Sequence, residues 1–434
     1  MLLLAGWVIG GAGVRVVIVG AGMGGLGLAQ ALVADDHEVT VLERDPCARA
    51  TGGYRLHLDA AACEVLRDVL PADVWAAVQA SGAGRSAFRQ LALTDARLRV
   101  LAVERQDPAE EVLMIGRVPL RALLAHGLQE QIRWGTCAVA VSDEGDSASV
   151  LLDDGSRVRA DLVVGADGAR STVAAALAGT ALVRPVGAAG IAGRTPLDEH
   201  TRALLPGLLA DGPLLAFSAT GVVVFLTVHD PERGAVLDPR PARPVRPVVE
   251  PPALVWGVNA VETTLPGGAR GRDGRALLDV ALGLLRGWDA GVRRLVEAAE
   301  VRSVAGYSFY APVAGADLMP WPAGRLAALG DAVHAVPPTG GQGASAAIRD
   351  AGHLAARLRE VSQGRAALGT ALAAFQRDVA RYAPGVVVES LQPLRWARTV
   401  SRPGVRQCAQ VVLPALATFT HAWHHRPARG RRVA

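Results

Sequence analysis

Apolar residues recur along this chain in two rhythms, and the change from one to the other lays out the architecture. Val14, Val16, Val17, Ile18 and Val19 form the apolar run expected of a strand buried on both faces. The glycine-rich turn Gly20–Gly25 follows, then a helix from Leu26 to about Ala34, then a second strand over Glu38–Leu42 ending on Glu43. Gly52-Gly53 breaks the pattern, Tyr54–Leu58 reads as a short strand, and Asp59 caps a helix from about Ala60. Met114–Leu128 gives a short strand and a helix with Pro119 near its start and Leu120, Leu123, Leu124 and Leu128 on one face. Thr136–Val141 and Ser149–Leu152 read as a hairpin that turns again at Asp154-Gly155 into Arg157–Ala160. Asp161–Val173 opens with another buried strand, ending in Gly165-Ala166-Asp167-Gly168.

From about Gly179 to Pro322 strands dominate: Leu214–Ser218, Val222–His229, Ala253–Val261 and Val301–Tyr310, with helices at Gly274–Leu285 and around Val292–Glu300. The proline-rich stretch 230–252 is expected as an exposed loop. The strand–helix rhythm returns at Gly324, with a strand over Arg325–Leu329, Gly330-Asp331 at its carboxyl end and a loop over His334–Gly343. Helices over Ala344–Leu358 and Ala366–Ala383 follow, and beyond Pro384 the chain reads as helical with breaks at Pro393, Pro403 and Pro414. The expected class is α/β. Residues 14–178 and 323–383 form two parts of one nucleotide-binding domain, 179–322 an inserted, mostly antiparallel substrate domain, and 384–434 a helical C-terminal segment.

The first strand, turn and helix carry chemistry. In Gly20-Ala21-Gly22-Met23-Gly24-Gly25, Gly20 permits the tight turn, Gly22 lets backbone amides approach a pyrophosphate, and Gly25 lets helix and strand pack closely. A diphosphate there meets unpaired amides at the positive end of the helix. Glu43, eighteen residues after Gly25, is placed to accept hydrogen bonds from adenosine ribose hydroxyls. A glycine loop alone is a weak signal; strand, helix, second strand and terminal acid in register point to dinucleotide binding.

Composition narrows the field. All 45 basic residues are arginine, and the net charge of +4 is small for 434 residues and spread along them, which argues against nucleic-acid binding, as does an aromatic content of 4%. Cys47, Cys63, Cys137 and Cys408 form no C-x-x-C pair and read as reduced cysteines of a cytoplasmic protein. The start MLLLAGWVIG lacks the basic residues of a signal peptide and is too short to span a bilayer, so it is expected as a loosely packed extension. His421, His424 and His425 have a spacing able to hold a metal, but with no carboxylate or cysteine nearby they read as a solvated terminus; no metal site is expected. The arginines that follow are too few to predict membrane contact.

Three motifs stand in the order and spacing of one family. Over roughly Arg15–Arg381 the chain resembles the single-component FAD-dependent aromatic hydroxylases, the group A flavoprotein monooxygenases that include para-hydroxybenzoate hydroxylase and the tetracycline-inactivating monooxygenases. The resemblance implies a Rossmann-like FAD/NAD(P)-binding domain in which Gly20, Gly22, Gly25 and Glu43 hold the adenosine and diphosphate, Arg44 lies beside the adenine, and Arg117 reaches the FAD. It implies that Asp167-Gly168 touches FAD and the nicotinamide path. It also implies that Asp331 binds a ribityl hydroxyl, that Pro338 and Gly341 belong to the loop beside the flavin, and that the amides of Gly343 and Ala344 face its pyrimidine. The implied activity uses NADPH or NADH and O2 to insert one oxygen atom into an aromatic or polyketide-like small molecule through a flavin C4a-hydroperoxide.

Two positions depart from the family pattern: Ser345 stands where Asn is usual, and Ala174 where Arg is usual, with Arg170 the nearest replacement. Both bear on NAD(P)H engagement. His57 is the candidate base, His334 reads as a loop-stabilising residue, and Arg194, Phe217, Phe225 and Trp256 are candidates for a substrate cavity, with core packing the alternative for the aromatics. Two alternatives stay open: a reductase of the geranylgeranyl reductase type, and a flavin-binding protein without turnover. A flavin-dependent halogenase is disfavoured, because its W-x-W-x-I-P signature and its lysine are both missing.

Overall fold

The apolar run at the start of the chain becomes the middle strand of a parallel sheet. In the computed structural model, which describes residues 13–405 apart from 54, 108, 232–243, 263–264, 266–268, 270, 314–318, 320, 323, 401 and 403, that strand is Arg15–Val19. The five-stranded sheet runs Leu326–Ala328, Leu162–Gly165, Arg15–Val19, Glu38–Glu43, Ile132–Trp134. Val19 lies opposite both Leu42 and Gly165, and Gly165 opposite Ala328. All pairings are parallel, so the strands present their carboxyl ends, and the loops bearing Gly20, Glu43, Asp167 and Asp331, at one edge. Ligands of open α/β sheets bind at that edge.

The helix Met23–Ala34 begins three residues earlier than its hydrophobic pattern indicates, with Gly22 at its N-cap, so Gly24 and Gly25 lie inside its first turn. Its residues are buried on nearly all sides, between the sheet and the helix Gly343–Ser362. The other face of the sheet is covered by the strands Ala138–Asp143, Ala148–Leu152 and Arg157–Ala160, whose Ala148, Val150 and Leu152 pack on Val17, Val19 and Val163.

A seven-stranded sheet forms the second body, in the order Ala305–Pro312, Val183–Pro196, Ala253–Val261, Val223–His229, Leu214–Phe217, Gln90–Asp95, Val100–Arg105. Every pair is antiparallel except Leu214–Phe217 against Gln90–Asp95. Two of its strands thus come from residues 90–105, well before the inserted segment begins. Leu254, Trp256 and Val258 on one face pack against the helices Gly274–Leu284 and Ala290–Glu297. The short pair Arg55–Leu58 and Leu113–Gly116 forms a separate two-stranded sheet.

The C-terminal helix departs from expectation. It runs from Leu368 to Val400 straight through Pro384 and Pro393. A mid-helix proline costs about 3 kcal/mol, and here packing beyond each proline offsets it: Leu394 is buried against Phe309 and Ala188, Ala397 against Leu215 and Val223. Pro403 and Pro414, the N-terminal extension through residue 12, much of the proline-rich stretch, Cys408, and His421, His424 and His425 lie outside the described residues. Among the described residues no helix is long and apolar enough to cross a membrane.

Candidate functional site

Gly20 turns the chain with φ +105°, and a Cβ there would lie 2.4 Å from the Ala166 carbonyl oxygen. Its N–H donates to the Leu42 carbonyl (2.8 Å), tying the turn to the second strand. Glu43 is buried, and its oxygens already accept from the N–H groups of Ala21 (2.7 Å) and Asp45 (2.9 Å). Arg121, which the sequence reading did not single out, completes the arrangement. Only 3% exposed, it donates to the Ala21 carbonyl (2.8 Å), pairs with Glu43 (3.0 Å) and Asp45 (2.7 Å), and lies over the Trp134 ring. Its neighbours on the helix Arg117–Leu124 are buried leucines, so nothing in the pattern marks it as more than one polar residue on an amphipathic face.

Two adjoining cavities open along the carboxyl edge of the parallel sheet. One, of 620 Å³, is lined by Gly20, Gly22, Glu43, Arg44, Arg117, Asp167 and Gly168. The other, of 330 Å³, is lined by Gly22, Gly25, His57, Arg117, Gly168, Asp331, Pro338, Gly341, Gly343 and Ala344. Gly22, Arg117, Ala166 and Gly168 border both, so the two chambers adjoin as one cleft, with Glu43 lining one and Asp331 the other. All fourteen residues singled out from the sequence as cofactor contacts or base line this cleft. Arg117 donates to the Thr51 hydroxyl (3.2 Å) where the chambers meet.

Among the described residues, two carboxylates in the cleft have oxygens left without a donor. Asp331 accepts no hydrogen bond from any described residue, and its Oδ1 lies 3.7 Å from where a Cβ on Gly343 would stand. Its side chain is exposed to the chamber, and the protein packed around the chamber pushes its pKa up. Asp167 accepts from the Thr172 N–H (2.7 Å) through Oδ2, while buried Oδ1 has no partner; burial raises its pKa too.

His57 pairs with Met114 across the two-stranded sheet and packs edge-on against Phe88 at 4.8 Å. Its Nε2 is buried without a partner, and desolvation holds its pKa below the usual imidazole value, so the ring is neutral at pH 7. His334 is occupied elsewhere: it bonds Asp350 at 2.7 Å, and Asp350 also accepts from the Gly330 N–H (2.7 Å) and the Tyr382 hydroxyl. Burial alone would lower the His334 pKa; the charge and hydrogen bond of Asp350 outweigh it and raise it.

The two departures from the family pattern have local explanations. Ser345 is buried at the start of Gly343–Ser362, where its hydroxyl donates to the His57 carbonyl (3.1 Å) and accepts from the Asp59 N–H (3.2 Å), joining the helix to the His57 strand. Ala174 is buried in an apolar cluster with Leu182, Trp321 and Val333, a setting that suits a methyl group. Of the substrate-cavity candidates only Phe225 lines the cleft. Trp256 is in the core, donating to the Thr195 hydroxyl (3.2 Å), Phe217 packs on Trp396, and Arg194 is paired with Glu250. Leu91, Leu215 and Asn259, not anticipated, join Phe225 on this wall.

Comparison with known proteins gives the cleft a context. The family described as "FAD binding domain" matches residues 13–203 and 297–390, the segments that supply most of the cleft. A dual O-methyltransferase/FAD-dependent monooxygenase, elcB of Phaeosphaeria nodorum, is 28% identical over 376 residues, covering 78% of this chain and 39% of its own. The chain therefore spans well under half the length of that relative. A putative FAD-containing monooxygenase from Photorhabdus luminescens superposes with a TM-score of 0.74 at 27% identity, covering 89% of this chain and 98% of its own. Klebsiella pneumoniae HpxO, solved with FAD and uric acid, shares the fold at TM-score 0.70 and 19% identity, covering 93% of each chain.

Proposed function

The chain belongs to the FAD-binding-domain family, and on that premise we propose that it is an FAD-dependent monooxygenase that uses NAD(P)H and O2 to insert one oxygen atom into an aromatic or polyketide-like small molecule. The observation that carries this reading is the continuity of the cleft from Glu43 to Asp331 through the shared lining of Gly22, Arg117, Ala166 and Gly168. The residues present fit the cofactor. Asp331 offers the chamber a carboxylate without a donor among the described residues, which a ribityl hydroxyl would supply, and Gly168, at φ +78° with no atom within 4 Å of where a Cβ would stand, leaves room for the cofactor.

In this reading Gly20, Gly22 and Gly25 hold the diphosphate, Glu43 and Arg44 the adenosine, Arg117 and Asp167-Gly168 the middle of the molecule, and Asp331 the ribityl chain. Pro338 and Gly341 shape the loop beside the ring. When bound, FAD supplies the two-electron chemistry with dioxygen that no side chain of the cleft can perform. The protein's part is to bind, orient and exclude water. The amides of Gly343 and Ala344 stand at the positive end of a twenty-residue helix, which favours negative charge on the pyrimidine side of the ring by about 0.3–2 kcal/mol depending on burial. His57, neutral at pH 7, is able to accept a substrate proton at Nε2. The wall of Leu91, Leu215 and Phe225 from the seven-stranded sheet faces the other side of the chamber and is where the substrate body would lie. The division into residues 14–178 and 323–383 for the cofactor and 179–322 for the substrate fits this assignment, with the Gln90–Arg105 strands added to the substrate side.

The test is a screen of aromatic and polyketide compounds for stimulated NADPH oxidation, with mass spectrometry of the product. A gain of one oxygen atom supports the reading. NADPH oxidation with reduction of a carbon–carbon double bond and no oxygen uptake would support the reductase instead.

A further inference from the structure

The 330 Å³ chamber is lined by a buried guanidinium, Arg55, that makes no ion pair with any described carboxylate. Arg55 and His57 are two residues apart on the strand Arg55–Leu58, so their side chains leave the same face, and both line the chamber. Arg55 is 7% exposed. Of its five N–H donors, one on Nη1 reaches the Val228 carbonyl (2.7 Å) and one on Nη2 the Met114 carbonyl (2.9 Å), while Nε–H has no partner. Both acceptors are neutral. Glu250, the carboxylate whose field Arg55 feels, is already paired with Arg194. His229 donates to the Glu250 backbone carbonyl and adds no compensating charge; burial and Arg55 push its pKa down to about 4. Burial lowers Arg55 only to about 10, so it stays cationic at neutral pH. The local balance is two guanidinium groups against one carboxylate. On the chamber lining itself Arg55 and Arg117 stand with one carboxylate, Asp331, which takes no hydrogen bond from Arg55.

A buried guanidinium held only by neutral carbonyls is costly unless an anion completes its shell, and a guanidinium matches a carboxylate better than any other side chain does. We infer that Arg55 is a specificity-determining residue that binds a carboxylate on the substrate, whose planar apolar body rests against Leu91, Leu215 and Phe225. The inference rests on the monooxygenase reading for the identity of the chamber as a substrate site. It narrows the substrate class to aromatic or polyketide-like acids.

The test uses the FAD-loaded protein and two probes of matched shape, 2-naphthoate and its methyl ester, with affinities measured by titration calorimetry. The wild-type protein is expected to bind the acid at least tenfold more tightly than the ester. Arg55→Gln should lower acid affinity at least tenfold, leave ester affinity within twofold and leave flavin content unchanged, and Arg55→Lys should recover part of the preference for the acid. Equal affinity for acid and ester in the wild-type protein overturns the inference, and so does equal weakening of both by Arg55→Gln, which would mark Arg55 as a brace between Val228 and Met114. If Arg55→Gln does not fold, the wild-type comparison alone decides. A wild-type protein that takes up no flavin would defeat the monooxygenase reading instead, and the acid–ester comparison remains measurable on it.

Discussion

Asp331 does little for the fold where it stands and gains its value from what occupies the cleft. Its side chain is exposed to the cleft and takes no hydrogen bond from a described residue, so replacing it is expected to change the empty protein's stability little. Asp331→Ala is expected to unfold within about 0.5 kcal/mol of the flavin-free wild type, yet to purify colourless or weakly yellow. Wild-type flavin content in the variant would remove Asp331 from the cofactor contacts. Arg121 is the opposite case, because its loss strands Glu43 and Asp45 without their counter-charge beneath the glycine turn. Arg121→Met should cost about 3–5 kcal/mol in urea unfolding; a loss under about 1 kcal/mol would show that the network is dispensable. His229 ties stability to pH. Its folded pKa of about 4 lies below the unfolded 6.5, so its contribution is complete above pH 6.5 and is lost as pH falls toward 4, by at most about 3 kcal/mol. His229→Gln, which has no proton to gain, should flatten that part of the pH profile of unfolding. An unchanged slope would place the acid sensitivity elsewhere.

Among the elements, those read most directly from the sequence have glycines imposed by contact. A Cβ on Gly25 would stand 2.1 Å from the Gly20 carbonyl oxygen, a clash with backbone that no rotamer relieves. Gly25→Ala is therefore expected to lose at least about 1–3 kcal/mol and most of its flavin, measured by thermal unfolding and by absorbance; a variant with wild-type melting and colour would contradict the packing argument. The strands Arg15–Val19 and Leu162–Gly165 were legible because nearly all their residues are apolar. Val183–Pro196 was not, since its centre, Gly187-Ala188-Ala189-Gly190, has neither alternation nor β-branched residues, and pairing on both sides makes it a strand. Gln90–Asp95 and Val100–Arg105 escaped because a strand at the margin of a distant sheet leaves little mark in six residues. Pro384 and Pro393 signalled interruptions that tertiary packing overrides.

For the whole molecule, the decisive feature is that a parallel sheet delivers its loops to one edge while a second sheet faces that edge. Motifs announced the first half, because glycines and acids at strand ends have few other uses. The facing wall was nearly silent. Phe225 was one aromatic among several, and Leu91, Leu215 and Asn259 become its neighbours only through pairings between distant strands. Substrate recognition is hidden in sequence for the same reason, since it depends on which side chains a folded sheet turns inward. The central claim is that one dinucleotide lies along the whole cleft, and the structure of the protein with FAD bound tests it most directly. The account predicts the adenosine beside Glu43 and Arg44, the diphosphate over Gly20–Gly25, and the isoalloxazine ring between Gly343-Ala344 and the Phe225 wall, within hydrogen-bonding reach of Asp331 through its ribityl chain. FAD bound elsewhere, or spanning only one of the two chambers, would contradict it.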